Sequence, residues 1–522
     1  MLKALAKDSP DGGIIELQEQ APSDLPSAAG TNAASPWRSR SGRGVFLVPA
    51  LVSLALGLWG VTRRDTMWRD ESVTYQVAHR SLPELVDLLR NADAVHGIYY
   101  FFMHGLFAVW DDSLIVLRLP SVLALAITAG LVGSIALRLT ARPAAGLLSG
   151  LTFAVAPEIQ MYAQEGRSYA MVCALVGLST YLFVTLAQHT SRFRWFLYGV
   201  AMLAASILHE FAVLALLAHG ITLYCSPAAP ARNRRYFTLT ATGVAVGLLP
   251  LIVFSMSQSG QVSWIGGPKP REWFEIVGIA ALASACAWYL SRSGRAKSLS
   301  RLALPLTLAP TAALLLAAVY KHMYVDRYVL YTNIGFALLV GTTSVHLADR
   351  ANQLSALRGT RVRMVIIAAG CLGATAALLP VTLQMRTPDS RKDNVTAIAR
   401  EVERLSAEAD TVLFTPARRR EWMLSYPARF DGLSDIALKD SPSASGTLQG
   451  TELAAPDIRR RLAQTENVIV LSDPVGQPLD TSPEETTKRQ ILEHDFTVCA
   501  RTELKGGHVT LYSRAPCPSA TR

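Results

Sequence analysis

The chain has 522 residues, of which 50% are hydrophobic, with a formal net charge of +10 and a mean hydropathy of +0.26. Charged residues are scarce between residues 45 and 385 and common on either side, which indicates a membrane protein. Membrane topology and attraction to lipid headgroups account for the positive charge. No basic–aromatic motif gives a reason to expect a nucleic-acid partner.

Residues 1–44 are polar and rich in Ser, Pro, Ala and Gly, without a periodic apolar face, and they predict a disordered cytoplasmic tail. The first apolar run begins only at Val45, and no small-residue cleavage site follows it. The pattern therefore predicts a retained first transmembrane helix and not a cleavable signal peptide.

Residues 45–385 form the predicted transmembrane domain. A membrane helix needs roughly 20 mostly apolar residues. The predicted spans are 45–61, 114–137, 143–157, 168–187, 194–208, 211–224, 236–256, 273–290, 302–319, 328–347 and 363–385. The apolar segment 97–110 is shorter, and we interpret it as a re-entrant or interfacial helix in the first outer loop, 62–113. The fold class is an α-helical polytopic membrane protein with about 11–13 transmembrane helices.

Loop charge predicts the orientation of these helices. Cytoplasmic loops carry an excess of Lys and Arg, and with the N-terminus inside every inner connection is basic, for example 138–142 and 291–301. The short outer loops hold fewer basic residues, and each contains an acidic one. This assignment predicts a multi-pass plasma-membrane protein whose C-terminal segment is extracytoplasmic. Counting 97–110 as a span would place the later basic loops outside, so we reject it.

Residues 386–522 alternate between helix and strand patterns. Helical patterns occupy 393–407, 455–464 and 483–493, and strand-like runs occupy 411–415, 467–472, 494–500 and 508–514. The alternation predicts a small extracytoplasmic α/β domain with a partly parallel sheet, which we interpret as a lid or an acceptor-docking platform. Cys499 and Cys517 flank a predicted hairpin, and they can either form a disulfide or remain free thiols.

Polar and aromatic residues collect at the predicted outer ends of the helices, where they are costly and are functional candidates by default. Carboxylates can take a proton from a hydroxyl or hold a divalent metal. Cationic side chains can hold a phosphate, and aromatic rings stack on sugars. A phosphate-linked sugar on a lipid tail fits all three. The candidates are Asp70, Glu71, His96, Tyr99, Tyr162, Glu165, Arg167, His209, Trp264, Lys321, Arg327 and Tyr328.

A purely structural role competes with each functional one. Asp70 and Glu71 can be a solvated acidic pair, and Glu165 and Arg167 can be a charge pair at a helix start. The remaining structural roles are a helix cap for His96, a hydrogen-bonded turn residue for His209, an interfacial anchor for Arg327-Tyr328, and belt aromatics for Tyr99 and Tyr162. A divalent metal, Mg or Mn, is compatible with the carboxylates, but two carboxylates without defined spacing do not establish a site.

Five short motifs follow one another along the chain. An acidic pair opens DESVTY (70–75), and HGIYY (96–100), LRLPS (117–121), YAQEGRSYA (162–170) and the Arg-Tyr pair at 327–328 follow in that order. Over roughly residues 45–350 this arrangement resembles the bacterial polytopic glycosyltransferases of the GT-C fold, in the branch that contains protein O-mannosyltransferases and aminoarabinose transferases. The family has prolines where this chain has Gly97 and Ile98, which implies a reshaped loop helix here.

The resemblance implies transfer of a sugar, by default mannose, from a polyprenyl-phosphate donor to a hydroxyl of a glycan, lipid or protein, with inversion of the anomeric centre. It implies Asp70 as the general base, Glu71 as a supporting carboxylate and Glu165 as a second acidic group. The donor-phosphate candidates are Arg167, His209, Lys321, Arg327 and Tyr328, and the sugar or acceptor candidates are His96, Tyr99, Tyr162 and Trp264.

Two further classes compete with this interpretation. A transporter or flippase of lipid-linked sugars would use the same basic residues, but such proteins more often show internal repeats and midplane charges. The sequence shows no repeat, and its charges lie on one face. A non-catalytic sensor or scaffold predicts that Asp70 and Glu165 can be replaced harmlessly.

Overall fold

The computed structural model describes residues 40–188, 190–227, 229–258, 266–292, 294, 296–354 and 360–517. Residues 1–39 of the predicted tail and the candidate Trp264 lie outside the described residues. The described chain is helical up to Gln384 and continues into an α/β domain.

Helices dominate the first region. In chain order they are α1 (Arg40–Leu58), α2 (Arg69–Ala78), α3 (Leu82–Asn91), α4 (Gly97–Val109), α5 (Leu114–Thr140), α6 (Pro143–Val155), α7 (Pro157–Ala163), α8 (Tyr169–Gln188), α9 (Arg192–Leu208), α10 (Leu214–Tyr224), α11 (Ala231–Ser257), α12 (Pro270–Arg292), α13 (Lys297–Ala317), α14 (Thr332–Leu354) and α15 (Thr360–Gln384). Each predicted span coincides with one of α1, α5, α6 and α8–α15. Within the described ranges, seven helices are long and apolar enough to cross a bilayer. The chain is a multi-pass membrane protein.

Glycines in the membrane helices let neighbouring backbones approach closely. α1 packs against α5 and α6, and a Cβ at Gly133 of α5 would lie 2.5 Å from the carbonyl oxygen of Val45. A Cβ at Gly341 of α14 would lie 2.4 Å from the Cα of Ser149 in α6. Small residues permit this approach, and van der Waals packing then holds the helices together where lipid gives no hydrophobic drive.

The segment between α1 and α5 contains three helices, α2, α3 and α4. α3 begins with a capping box at Ser81, which fixes its start. α4 buries Tyr99 and Tyr100 and exposes Phe101 and Phe102. An apolar face exposed beside a buried one is typical of a helix that lies in the membrane interface, which agrees with the interpretation of this segment.

The C-terminal domain alternates helices and strands. Its elements are α16 (Val395–Leu405), β1 (Thr411–Thr415), β2 (Ser434–Asp435), β3 (Leu438–Asp440), α17 (Pro442–Ser445), β4 (Thr451–Glu452), α18 (Ala455–Ala463), β5 (Asn467–Ser472), α19 (Pro483–Asp495), β6 (Thr497–Leu504) and β7 (Gly507–Ser513). A five-stranded sheet has the order β2-β1-β5-β7-β6, in which β1 runs parallel to β2 and β5 while β7 runs antiparallel to β5 and β6. The predicted partly parallel sheet is confirmed.

Both faces of this sheet are covered, because successive strand residues point to opposite sides. Phe414 packs with Val395 and Val402 of α16. Its neighbour Leu413 packs with Ile458 of α18 and Ile491 of α19. The domain therefore has its own two-sided core.

Two details of the domain go beyond the sequence patterns. Cys499 and Cys517 form a disulfide, whereas the sequence allowed either a disulfide or free thiols. The segment 416–454, where the sequence predicts no element, contains the 3-10 helix Ala417–Ser425 and the short β2, β3 and β4. These pieces are too short to show a hydrophobic period.

Candidate active site

Helix α2 carries Asp70 and Glu71 in its first turn. Its N-cap residue, Trp68, provides no side-chain cap. Instead Oδ1 of Asp393, from the C-terminal segment, accepts the backbone N–H of Arg69 at 2.6 Å. A carboxylate here satisfies a free amide and interacts favourably with the helix dipole. The C-terminal segment thus fixes the start of the helix that presents both carboxylates.

Glu71 is fully buried and its oxygens are occupied. Arg118 donates from Nε to Oε1 at 2.7 Å and from Nη2 to Oε2 at 2.8 Å. Arg63 forms an ion pair with Oε2, and the N–H of Gly166 donates to Oε1 at 3.1 Å. Burial alone would raise the pKa of Glu71, but Arg118 and Arg63 outweigh it and hold the pKa at about 2. Glu71 is placed to hold the loop together rather than to touch a substrate.

The loop before α2 bends sharply to bring Arg63 to Glu71. Arg63, Arg64 and Asp65 have φ values of 49°, 56° and 57°. Non-glycine residues in this left-handed region are costly and persist only where their surroundings fix them. The buried ion pair of Arg63 is such a constraint.

The LRLPS and YAQEGRSYA motifs pack on each other beside this cluster. A Cβ at Gly166 would lie 2.6 Å from Cγ of Leu117, so only glycine fits there. Oγ of Ser121 donates to the backbone oxygen of Glu165 at 2.6 Å. Arg118, between Leu117 and Ser121 in the first motif, binds Glu71. The two motifs therefore act as one structural unit that supports α2.

Asp70 lies in different surroundings, beside two buried arginines. Nη2 of Arg327 is 3.4 Å from Oδ2 of Asp70. Nη1 of Arg167 lies 3.2 Å from the hydroxyl of Tyr100 and 3.5 Å from the backbone oxygen of Asp70. The side chain of Asp70 is 25% exposed, whereas Arg167 and Arg327 are 6% and 7% exposed. Two desolvated guanidinium groups beside one accessible carboxylate suit a bound anion such as a phosphate.

Aromatic and histidine rings line the same pocket. Ring centroids lie 4.5 Å apart for His209 and Tyr328, 5.5 Å for His209 and Tyr169, and 5.9 Å for His209 and His96. Burial, reinforced by the nearby arginines, lowers the pKa of His96 and of His209 well below the ordinary value, so both rings are neutral. In the part of the chain that the structure describes, Nδ1 of each ring and Nε of Arg167 lack hydrogen-bond partners. These atoms are available to a ligand.

Glu165 is buried one residue away from Gly166. Nε of Arg391 lies 3.7 Å from its Oε2, and neither carboxylate oxygen has a hydrogen-bond partner among the described residues. Burial raises the pKa of Glu165 to about 7 although Arg391 opposes the rise. Glu165 is 1% exposed, so its carboxylate is closed off from solvent.

The C-terminal domain packs against α2 through the 3-10 helix Ala417–Ser425. Glu421 forms an ion pair with Arg69, the residue before Asp70. Oγ of Ser425 donates to the backbone oxygen of Ser72 at 3.0 Å. The domain therefore forms part of the wall around the first turn of α2.

This architecture is shared with known membrane proteins. Crystal structures of ArnT from Cupriavidus metallidurans superpose with TM-scores of 0.54 in the apo state and 0.55 with bound undecaprenyl phosphate, at 12% identity. The alignments cover 92% and 91% of this chain and 99% and 98% of ArnT. The apo oligosaccharyltransferase of Archaeoglobus fulgidus gives 0.51 at 8% identity, over 84% of this chain and 70% of that one. The chain has the GT-C fold.

No protein-family model and no curated protein matches the sequence. The likeness to ArnT and to the oligosaccharyltransferase is therefore one of GT-C fold.

The remaining candidates differ in burial and in contacts. Tyr162 donates its hydroxyl to Oδ1 of Asp326 at 3.2 Å, next to Arg327. Tyr99 is fully buried on α4. Lys321 is exposed on the loop after α13, unlike the buried arginines of the pocket. Trp264 cannot be assigned a place because it lies outside the described residues.

The described carboxylates around Asp70 do not form a Mg or Mn site by themselves. The described residues include no group of three or more His, Cys, Asp or Glu side chains that could hold a metal. Glu71 is occupied by two arginines and Asp393 by the start of α2. Mg²⁺ is commonly held by one or two carboxylates together with waters and substrate phosphates, so the protein groups alone do not establish a site here.

Sequence reasoning missed the residues that hold the site from a distance. Arg63, Asp393, Arg391 and Glu421 all contact the loops that carry Asp70, Glu71 and Glu165. Arg118 lies inside the LRLPS motif and could have been found there. Asp393, Arg391 and Glu421 lie more than 200 residues from their partners, and no local pattern marks them.

Proposed function

We propose that this protein is a glycosyltransferase that moves a sugar from a polyprenyl-phosphate donor to an acceptor hydroxyl at the extracytoplasmic membrane face, with inversion. The observation that carries the proposal is the placement of one accessible carboxylate, Asp70, beside the buried guanidinium groups of Arg167 and Arg327. A base and a phosphate site side by side are what such a transfer requires. By resemblance the sugar is mannose.

The donor phosphate would bind between Arg167 and Arg327, with the lipid tail in the bilayer. ArnT, which has the same fold, has been crystallised with undecaprenyl phosphate. Neutral His96 and His209 would donate hydrogen bonds to phosphate oxygens without adding charge. Tyr328 and Tyr169 would stack beside the sugar.

The reaction would be a single displacement. Asp70 takes the proton of the acceptor hydroxyl as that oxygen attacks the anomeric carbon. The bond between this carbon and the phosphate oxygen breaks, and the electron pair leaves with the polyprenyl phosphate. Arg167 and Arg327 stabilise the charge that grows on the phosphate, in a site where water does not screen it.

The charge of the loops supports placing the site on the outer face. With the N-terminus in the cytoplasm, the basic loops are inside, and Asp70 and the domain after Gln384 are outside. The disulfide Cys499–Cys517 suits an oxidising compartment. A membrane-impermeant maleimide should therefore label the free and exposed Cys225 only after the membrane is permeabilised. Labelling of Cys225 in intact cells would reverse the orientation.

The test compares wild type, Asp70→Asn and the matched variant Asp87→Asn, whose carboxylate is exposed on α3 in the same loop. Each protein is purified in detergent and incubated with polyprenyl-phosphate carrying radiolabelled mannose and a membrane extract as acceptor. Wild type and Asp87→Asn should transfer label, and Asp70→Asn should be slower by about 10²–10⁴-fold.

Two results would overturn parts of the proposal. If no protein transfers label, the donor is wrong or the chain is not a transferase, and vesicle assays of flipping then test whether it is a transporter. If Asp70→Asn is as fast as wild type, Asp70 is not the base.

A further inference from the structure

A cleft lies in the C-terminal domain, away from the pocket around Asp70. It opens where β1 and β5 end, at Thr415 and Ser472, and it has a volume of about 370 Å³. His508, at the start of β7, pairs in register with Ser472 and lines the same edge. In open sheets with parallel strands, ligands bind in the crevice outside the carboxyl ends of the strands. The volume is within the roughly 300–1,000 Å³ of small-molecule sites.

The polar groups of the cleft are arranged for a ligand without net charge. Arg489 and Arg501 line it together with Asp480 and Glu493, so basic and acidic side chains are balanced. A further acid, Asp473, is neutralised by ion pairs with arginines of the 3-10 helix Ala417–Ser425. With both signs balanced, the cleft offers no net charge to hold a phosphate or a free carboxylate, whereas a neutral polar ligand can hydrogen-bond to both kinds of group.

Hydrogen-bonding capacity remains unused in this cleft. Nδ1 of His508 is buried and has no hydrogen-bond partner among the described residues. The ring of Tyr512 and the loop prolines Pro474 and Pro478 add apolar surface beside these polar groups. Hydroxyl-rich rings with apolar faces match such a mixture, because sugars hydrogen-bond through their edges and stack through their C–H faces.

The cleft is joined to the active site by one rigid element. Arg419, near the start of the 3-10 helix Ala417–Ser425, binds Asp473 in the cleft. Further along the same helix, Glu421 binds Arg69, and Ser425 binds Ser72 of α2. From Arg419 to Ser425 such a helix advances roughly 12 Å. The same helix therefore contacts both the cleft and the first turns of α2, which carries Asp70.

We infer that this cleft binds a neutral saccharide segment of the acceptor, which makes the acceptor a glycan or a glycolipid rather than an unmodified protein. The inference rests on the proposed transferase function for its purpose, but saccharide binding can be measured without transfer. His508 and Arg501 are the residues chosen for replacement, because both side chains line the cleft.

The experiment measures binding of mannotriose, maltotriose and cellotriose to the full-length protein in nanodiscs by saturation-transfer NMR. The variants are His508→Ala and Arg501→Ala, and the matched control is Arg460→Ala, whose exposed guanidinium lies on α18 outside the cleft. At least one trisaccharide should bind wild type and the control, and should bind the cleft variants at least about tenfold more weakly. Binding of undecaprenyl phosphate should be equal in all four proteins.

Absence of binding by any trisaccharide to wild type would overturn the inference, and so would equal binding by the cleft variants. The protein could bind trisaccharide, lose that binding only in the cleft variants, and transfer no sugar. This result would support the saccharide site and reject the transferase function. Transfer activity with unchanged KM for the acceptor in both cleft variants would keep the transferase and reject the site.

Discussion

Asp70 and Glu71 are neighbours in one helical turn, yet they belong to two different polar regions. Around Glu71, both carboxylate oxygens are bound by Arg63, Arg118 and the amide of Gly166. Around Asp70, the region formed with Arg167 and Arg327 is only partly satisfied, since Nε of Arg167 has no hydrogen-bond partner in the described structure. We call these regions the anchor cluster and the substrate pocket.

The difference shows how to separate structural from functional polar groups. Both oxygens of Glu71 are hydrogen-bonded, although Nε of Arg63 in the same cluster has no hydrogen-bond partner among the described residues. Each partner removed from such a buried network leaves another costly unpaired group. The substrate pocket has three such atoms, Nε of Arg167 and Nδ1 of His96 and His209, and a bound ligand would give them hydrogen-bond partners. The anchor cluster should therefore govern stability, and the substrate pocket should govern rate.

The largest expected effect follows from breaking the anchor cluster. Glu71→Gln leaves Arg63 and Arg118 buried without a carboxylate, and we expect the free energy of unfolding to fall by about 3–5 kcal/mol. The measurement is the apparent Tm of the full-length protein in nanodiscs. Asp70→Asn, one residue away, is the matched comparison and should lower Tm much less, because Asp70 is partly exposed and has a single, longer contact to Arg327. If Glu71→Gln keeps the wild-type Tm but transfers no sugar, Glu71 takes part in the reaction and is not only a structural anchor.

The second effect concerns the substrate pocket. Arg327→Met removes a donor from the leaving phosphate, and the barrier should rise by about 2.7–4 kcal/mol, a loss of roughly 10²–10³ in kcat, with little change in Tm. Arg271→Met, at an arginine of α12 that is 90% exposed, serves as control. The measurement is the kcat of sugar transfer from radiolabelled donor in both variants. Equal kcat in the two variants would show that Arg327 does not touch the phosphate.

The third effect is a pH dependence. Burial raises the pKa of Glu165 in the folded protein to about 7 from a reference near 4.5. The folded state therefore binds more protons between these values, so this contribution to stability is complete below about pH 4.5 and is lost as the pH rises through 7. Wild type should lose up to about 1.4 kcal/mol per pH unit in this window relative to Glu165→Gln. Parallel Tm profiles of the two proteins between pH 5 and 8 would contradict the assignment.

The smallest effect tests the link between domains. Asp393→Ala removes the cap of α2, and we expect a loss of about 0.5–2 kcal/mol. Backbone amide hydrogen exchange at residues 69–72 should become faster, since the first turn loses its cap. Asp389→Ala, an exposed residue of the same linker, is the control. Unchanged exchange in Asp393→Ala would show that the C-terminal segment does not fix α2.

The sequence predicted local structure well where a period was present. All eleven spans have their helix, and β1 and β5 begin and end at the predicted residues. β6 begins at Thr497 rather than at 494, because α19 continues to Asp495. Segment 416–454 gave no signal, since its strands of two or three residues cannot show alternation.

The structure brings part of the predicted set of residues together, and their roles stay predictions. Asp70, Arg167, His209 and Arg327 come together as the motifs imply. Nothing in the one-dimensional pattern distinguishes Asp70 from Glu71, because their difference lies in what packs around each. Arg391 and Asp393 contact the site from beyond the last membrane helix, and such long-range partners leave no local trace.

The sequence by itself determined the membrane class, the positions of the helices, the α/β domain and the set of polar residues at one end of the helices. Those features follow from hydrophobic period, length and charge, which are local properties of a chain. Tertiary structure alone decided that Glu71 is an anchor while Asp70 is accessible, and that the C-terminal domain caps α2. Burial and partnership depend on packing between segments hundreds of residues apart, and packing sets the cost of each charge.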